Sequence, residues 1–396
     1  MVQRADRQPQ RECLDMELFH ENLLEILVCP SCGSELQLEV LSPKLKDGVF
    51  FCENNHWYPV IKGLPKILIG ELRGDYSDFV KSYDKWFTTK GSTSTEKSGD
   101  RKESKQVQET FCEKWMTKDT MGITDSSPYK HFMRSWMLKK YGWGNESGFK
   151  KALTNRRMIL DTGTGLGREV INLANAAKQS IVVGIEFSDC ATSALKNISS
   201  LNNAYIIQGD LLRPPFKEES FDFILSEGVL HHTPNTEEAF RKCCALLKIG
   251  GEFAFYIYRK RGPIREFTND HLRNIMRGAS SKGSWEIAER ITRLGKALSD
   301  VKAKVRIPED IPELGIKAGE IDVHRFIYWN FLKCFWNDEL PFDENTIINF
   351  DWFVPEHAHR HTADETREWC RENNIEIIWF NEEKSGYSVR GLKKQG

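Results

Sequence analysis

Residues 158–167, read as MILDTGTGLG, constrain this chain more than any other stretch. Three apolar residues (Met158, Ile159, Leu160) end at Asp161, and glycine then stands at Gly163, Gly165 and Gly167. Over residues 168–177 the apolar Val170, Ile171, Leu173 and Ala174 recur at helical spacing. Strand, glycine turn and helix form the opening unit of a doubly wound α/β domain, whose ligands bind beyond the carboxyl ends of the strands. Glycines are needed there because a main chain that turns sharply against a ligand has no room for a Cβ. The spacing excludes a dinucleotide fingerprint, since G-x-G-x-x-G begun at Gly163 would need glycine where Arg168 stands. What remains is D-x-G-x-G-x-G.

Further units follow at even spacing. Residues 180–188 are rich in β-branched side chains and predict a buried strand ending at Glu186, with a helix over 191–199. Residues 204–210 predict a third strand, ending at Asp210. Residues 221–232, FDFILSEGVLHH, predict a fourth, followed by a helix over 236–247, a turn at 247–251 and a fifth strand at 252–258. Such alternation demands parallel strands joined by right-handed crossovers. The expected core is 149–258. Residues 259–350 break the alternation and read as a mostly helical cap inserted after the fifth strand. In the last part, 351–396, a helix over 362–372 precedes strands at 375–382 and 386–394, whose short link makes an antiparallel hairpin.

The front of the chain has another character. Residues 1–22 are mostly polar and are expected to be mobile, although 17–27 has helical spacing. Within 23–72, Cys29 and Cys32 form C-x-x-C, and Cys52 and His56 form C-x-x-x-H. Two ligand pairs on tight turns, separated by a strand-like stretch, are the layout of a zinc ribbon. Three thiolates and an imidazole close a tetrahedral site, so the metal would be structural. Residues 73–148 read as a helical linker region: an aromatic stripe over 74–90, a flexible loop at 91–106, the FCEKW run at 111–115 and an aromatic-rich helix over 129–141. The net charge of −1 advertises no global basic field for nucleic acid. No apolar run is long enough to span a bilayer, and the ten cysteines suggest thiols in a reducing, cytoplasmic setting.

The glycine motif resembles the first motif of class I S-adenosylmethionine (SAM) methyltransferases. The resemblance implies a Rossmann-like, doubly wound, seven-stranded sheet with its last strand antiparallel. It also implies a site. Asp161, Thr162, Gly163, Gly165 and Gly167 would cradle the methionine part and ribose, and Glu186 would accept from both ribose hydroxyls, with Phe187 nearby. Asp210 would receive the adenine amino group with Leu211 beside the ring, and Ser226 and Glu227 would lie next to the sulfonium. The CPxC and YPVxxGxP elements resemble the zinc ribbon of the small activator subunit of tRNA and protein methyltransferases. The C-x-x-x-H half is also similar to the zinc finger of large-subunit rRNA guanine methyltransferases. An activator-type ribbon has cysteine where His56 stands. The FCEKW run resembles the helix that precedes the catalytic domain in ribbon-fused methyltransferases.

On the acceptor side, His231 and His232 follow the fourth strand, where an imidazole can take a proton from the methyl acceptor. Arg259, Lys260, Arg261 and Arg265 follow the fifth strand and can hold a carboxylate or phosphate, although such a charge run is more often a solvated face. His357, His359 and His361 alternate, as metal ligands on an extended segment can, but substrate contact is the stronger reading. The expected activity is methylation of a small organic acceptor (a natural product, sugar or lipid-like molecule), without a membrane. Methylation of RNA or a translation factor guided by the ribbon is the alternative, with nucleic acid the weaker partner. A non-catalytic SAM-binding scaffold is the third reading.

Overall fold

A computed structural model of the chain describes residues 18–90 and 128–396. The loop at 91–106 and the FCEKW run lie outside the described residues, as does most of the N-terminal tail. The first helix, α1 (Glu21–Leu24), is shorter than the spacing over 17–27 predicts. It stops because the chain is drawn off as an edge: Leu27 bridges Phe216, and the Val28 N–H donates to the Pro215 carbonyl at 3.0 Å. Four antiparallel strands follow: β1 (Gln37–Ser42), β2 (Asp47–Phe51), β3 (Trp57–Ile61) and β4 (Leu64–Ile67). The aromatic stripe forms α2 (Ser77–Ser82) and α3 (Asp84–Lys90), and its Phe79 and Phe87 bury against Val49 and Trp57. The stripe therefore serves packing over β2 and β3.

Helices α4 (Pro128–Lys140) and α5 (Glu146–Ala152) lead into β5 (Met158–Thr162). Then come α6 (Arg168–Ala176), β6 (Ile181–Glu186), α7 (Cys190–Asn197), β7 (Ala204–Gly209), β8 (Phe221–Glu227), α8 (Thr236–Leu246) and β9 (Leu247–Tyr258). The turn expected at 247–251 is instead a bulge inside β9. Phe221 pairs with Leu247 and Phe223 already with Glu252, so the extra residues loop out around Gly250, whose φ is 77°. The cap comprises α9 (Pro263–Gly278), α10 (Ser281–Asp300), a small hairpin of β10 (Lys304–Ile307) and β11 (Gly319–Asp322), α11 (Val323–Asn330) and α12 (Phe342–Phe353). A capping box between Thr362 and Glu365 opens α13 (Ala363–Glu372), and β12 (Ile375–Glu382) and β13 (Gly386–Lys393) close the chain.

The sheet runs β1-β2-β3-β4-β7-β6-β5-β8-β9-β13-β12. The seven strands from β7 to β12 have β13 antiparallel to both neighbours, as expected. The sheet does not stop at seven, however. Strand β4 lies parallel along β7, with Lys66 opposite Gln208 and Ile67 opposite Gly209, and this adds four strands to make eleven. The edge of β7 would otherwise leave a row of main-chain donors and acceptors unpaired. One face of the sheet carries a buried cluster that joins the ribbon (Leu27, Phe50, Val60) to the core strands (Leu160, Val183, Ile207). The other face packs on α4 to α7 through Met137, Phe149, Leu173 and Ala194. The cap has its own apolar cluster, with Met276, Ala288, Phe350 and Phe353 at its centre.

Candidate functional site

The carboxyl ends of β5 to β9 open into one cavity of about 660 Å³, roofed by the cap. Its strand-tip side is lined by Gly163, Glu186, Phe187, Asp210, Leu211 and Glu227. Gly163 has φ 58°, and a Cβ there would meet the Val229 methyls at 2.7 Å, so only glycine fits. Glu186 is buried; Oε2 accepts from Gly165 N at 2.8 Å and Oε1 from Ser188 N at 2.9 Å. The Ser188 hydroxyl and the Phe187 N–H also face this carboxylate, which is thereby held at the tip of β6. Burial raises the Glu186 carboxyl above its ordinary range and raises Asp161 further still. Asp161, Thr162, Gly165, Gly167 and Ser226 are buried and do not line the cavity. Asp161 Oδ2 and Ser226 Oγ are buried without a hydrogen-bond partner. Asp210 Oδ1 accepts from Leu212 N at 2.9 Å, which fixes the carboxylate at the tip of β7.

Sequence reasoning missed Lys140. Its side chain is buried and pairs with Glu227 Oε1, while the Tyr141 hydroxyl donates to Glu227 Oε2 at 2.7 Å. The ammonium also lies 3.4 Å from the Trp136 ring centre and 4.1 Å from that of Tyr256. Burial lowers its pKa, and the Glu227 charge opposes that. The available signal was a lysine on the apolar stripe of α4, beside Trp136, Met137 and Tyr141.

The two adjacent histidines separate. His232 lines the cavity, and its Nδ1 lies 2.7 Å from the His357 carbonyl. A carbonyl only accepts, so Nδ1 carries a proton. His231 is fully buried, stacks on Tyr258 with ring centres 3.7 Å apart, and does not line the cavity. The structure thus brings His232 and not His231 to the cavity; among the described residues neither His231 ring nitrogen has a partner, and burial pushes its pKa well below the usual value. Of the basic run, Arg261 and Arg265 line the cavity; Arg259 approaches Glu382 at 3.9 Å instead. The cap adds Arg325, Tyr328, Trp329, Lys333 and Trp352 to the lining. From sequence Trp329 and Trp352 read as cap packing more than as a binding box, and Arg325, Tyr328 and Lys333 were not singled out, because the fold alone brings α11 and α12 over the strand tips.

His357, His359 and His361 do not gather their nitrogens into a metal-ligating group. Burial instead lowers His359, and lowers His361 to about 4 despite Glu365 at 4.0 Å. An unfolded chain protonates its histidines at an ordinary value near 6.5, before these buried rings do. The stability they contribute is therefore full above that value and is lost as pH falls from there towards 4. Thermal melts across this range should fall steadily, and His361→Gln should flatten the slope. An unchanged slope would show that other groups control acid sensitivity.

Cys29, Cys32, Cys52 and His56 are the one donor cluster found among the described residues, with all ligand atoms within 4.8 Å of one another. Cys32 Sγ is 3.7 Å from Cys52 Sγ, and His56 Nδ1 is 3.4 and 3.5 Å from the sulfurs of Cys29 and Cys52. Tetrahedral zinc–sulfur bonds of about 2.3 Å place sulfurs roughly 3.8 Å apart, so the spacing fits a metal. Tyr58 is buried with its hydroxyl 3.1 Å from Cys29 Sγ, where it can hold a thiolate in place.

A family model described as a methyltransferase domain matches residues 160–255, the stretch from the glycine loop to the fifth core strand. The chain is 28% identical over 172 residues to a demethylmenaquinone methyltransferase of Roseiflexus castenholzii, covering 42% of this chain and 66% of that protein. It is 26% identical over 163 residues to 24-methylenesterol C-methyltransferase 2 of Arabidopsis thaliana, covering 40% and 41%. Among solved structures, the 1,6-didemethyltoxoflavin-N1-methyltransferase of Burkholderia thailandensis is similar, with a TM-score of 0.39 and 11% identity over 75% of this chain and 92% of that one. Residues 160–255 thus match a methyltransferase domain. The chain spans less than two thirds of the length of these curated relatives.

Proposed function

We propose that the protein transfers a methyl group from SAM to a small organic acceptor, natural-product, sugar or lipid-like, held beneath the cap. The observation that carries this reading is the single cavity that joins the strand-tip acids to a chamber walled by cap residues. A chamber of this size beneath a cap, walled largely by aromatic and apolar side chains, suits a small molecule. The relatives named above are methyltransferases for a quinone precursor and for sterols, which supports the same class of acceptor. Among the described residues no helix is long and apolar enough to cross a membrane. The thiol-rich composition supports a cytoplasmic setting.

When bound, SAM supplies an activated methyl group with a good leaving group. The chain's part is to align the reactants and exclude water. Glu186 and Asp210 are proposed to hold the nucleoside, Gly163 to let the main chain approach, and Glu227 to face the positive charge. His232 is proposed as the base: its Nε2 lone pair would accept the proton of an acceptor hydroxyl. A zinc ion held by Cys29, Cys32, Cys52 and His56 would be closed to substrate and would stabilise the ribbon.

The test is transfer from labelled SAM into small-molecule extracts, beside bulk RNA, by wild type and His232→Gln. Label should enter the small-molecule fraction, and the variant should lose about 100-fold or more in kcat with S-adenosylhomocysteine affinity unchanged. Label in RNA alone would reject a small acceptor, and an unaffected variant would remove His232 from the chemistry.

A further inference from the structure

The cavity is divided by charge. On the strand-tip side stand Glu186, Asp210 and Glu227, with Arg168 paired to Glu169 and Lys140 paired to Glu227, and on the cap side Arg261, Arg265 and Arg325. Lys333 and Asp351 contribute one charge of each sign, as do Glu383 and Lys384. The three arginines gather on one aromatic pair. Arg261 lies 4.7 Å from the Trp329 ring centre, while Arg265 and Arg325 lie 5.3 and 5.6 Å from that of Tyr328. The Tyr328 and Trp329 ring centres are themselves 4.4 Å apart.

The hydrogen bonds of these guanidiniums go to neutral acceptors. Arg265 donates Nε to Asn269 Oδ1 at 3.0 Å and Nη1 to the Tyr328 carbonyl, which leaves Nη2 over. Arg325 Nη2 reaches the Trp336 carbonyl at 3.5 Å. The neighbouring acid, Glu266, is committed to Arg360 at 2.7 Å and to the main-chain N–H of Arg261. Among the described residues no carboxylate forms an ion pair with any of the three. Arg265 is only 2% exposed, and with its pKa near 10 it is still charged at neutral pH. A buried cation without a counter-ion is unfavourable, and an arriving anion removes that penalty. A planar guanidinium also matches carboxylate and phosphate oxygens two at a time.

We infer that the methyl acceptor is an anion whose carboxylate or phosphate docks on Arg261, Arg265 and Arg325, with a flat apolar body against Tyr328, Trp329 and Trp352. This rests on the methyltransferase reading, and it adds the acceptor's charge and the place of its head group. The strand-tip acids attract the positively charged cofactor and repel such an acceptor, while the cap does the reverse. Each ligand is thereby sorted to its own half of one cavity.

The test uses the full chain saturated with S-adenosylhomocysteine, with phenyl phosphate, benzoate and the neutral benzyl alcohol as probes, followed by calorimetry. At least one anion should bind about tenfold or more tightly than benzyl alcohol, and the better anion identifies the head group. Arg261→Gln and Arg325→Gln should each weaken that anion about tenfold and leave benzyl alcohol and S-adenosylhomocysteine affinities unchanged. Arg265→Gln should do the same where melting shows it folded; the other two variants carry the test if it is not. No anion binding, equal binding of neutral and anionic probes, or indifference to both Arg261→Gln and Arg325→Gln would overturn the inference. Failure of wild type to bind S-adenosylhomocysteine would instead overturn the methyltransferase reading.

Discussion

Glu186→Ala is expected to weaken S-adenosylhomocysteine binding by about 100-fold or more. The carboxylate is proposed to act twice. Its oxygens take the N–H groups of Gly165 and Ser188, which fixes the glycine loop against the tip of β6. The same carboxylate would also accept from the ribose hydroxyls. Hydrogen bonds to a charged group contribute about 1.5–3 kcal/mol each, and losing the two to ribose corresponds to at least two orders of magnitude in affinity. Glu186→Gln separates the roles, because an amide keeps the shape but turns one acceptor into a donor. It should retain more thermal stability than alanine and still bind poorly. Calorimetry of the two variants decides the matter, and near-wild-type affinity for both would falsify the proposed cradle.

The second large effect is expected from Cys52→Ser. The purified wild type should contain about one zinc per chain by elemental analysis, and the variant essentially none. Structural zinc contributes on the order of 10 kcal/mol to the folding of small isolated zinc-finger peptides. Here the ribbon is also held by the sheet, so the expected result is a melting temperature lower by roughly 10 °C and not complete unfolding. The damage should reach the cofactor side as well. Strand β4 pairs with β7 at Gln208 and Gly209, immediately before Asp210, and Lys66 Nζ bonds Gln208 Oε1 at 2.6 Å. S-adenosylhomocysteine affinity should therefore fall several-fold in the variant. Unchanged melting together with retained zinc would reject the ligand set.

The strand tips were legible because their chemistry is local. A sharp turn needs Gly163, and acids at the ends of consecutive strands stand at positions that alternation alone fixes. The clustering of Cys29, Cys32, Cys52 and His56 was legible for the same reason, since each pair sits on its own turn. The roles of His231 and His232 were not, because adjacent residues on a tight turn point different ways, and only the packing of Tyr258 and the His357 carbonyl decides which one faces the cavity. The basic run was equally ambiguous until the cap drew Arg261 and Arg265 inward and left Arg259 near Glu382. Lys140 and Arg325 lie far from the motifs in sequence and owe their places to helix packing. The eleven-stranded sheet could not be read either, because nothing within β4 says which neighbour's edge it will join.

That junction has a consequence for association. A strand margin with bare amides and carbonyls invites another polypeptide to pair with it. In this protein the carboxyl end of the β7 margin, at Gln208 and Gly209, is taken by the chain's own β4, and the outermost strand on this flank is β1. A foreign strand therefore cannot zip onto β7 immediately before Asp210. Any protein that regulates this molecule through that end of the flank must grip its side chains or its outer rim.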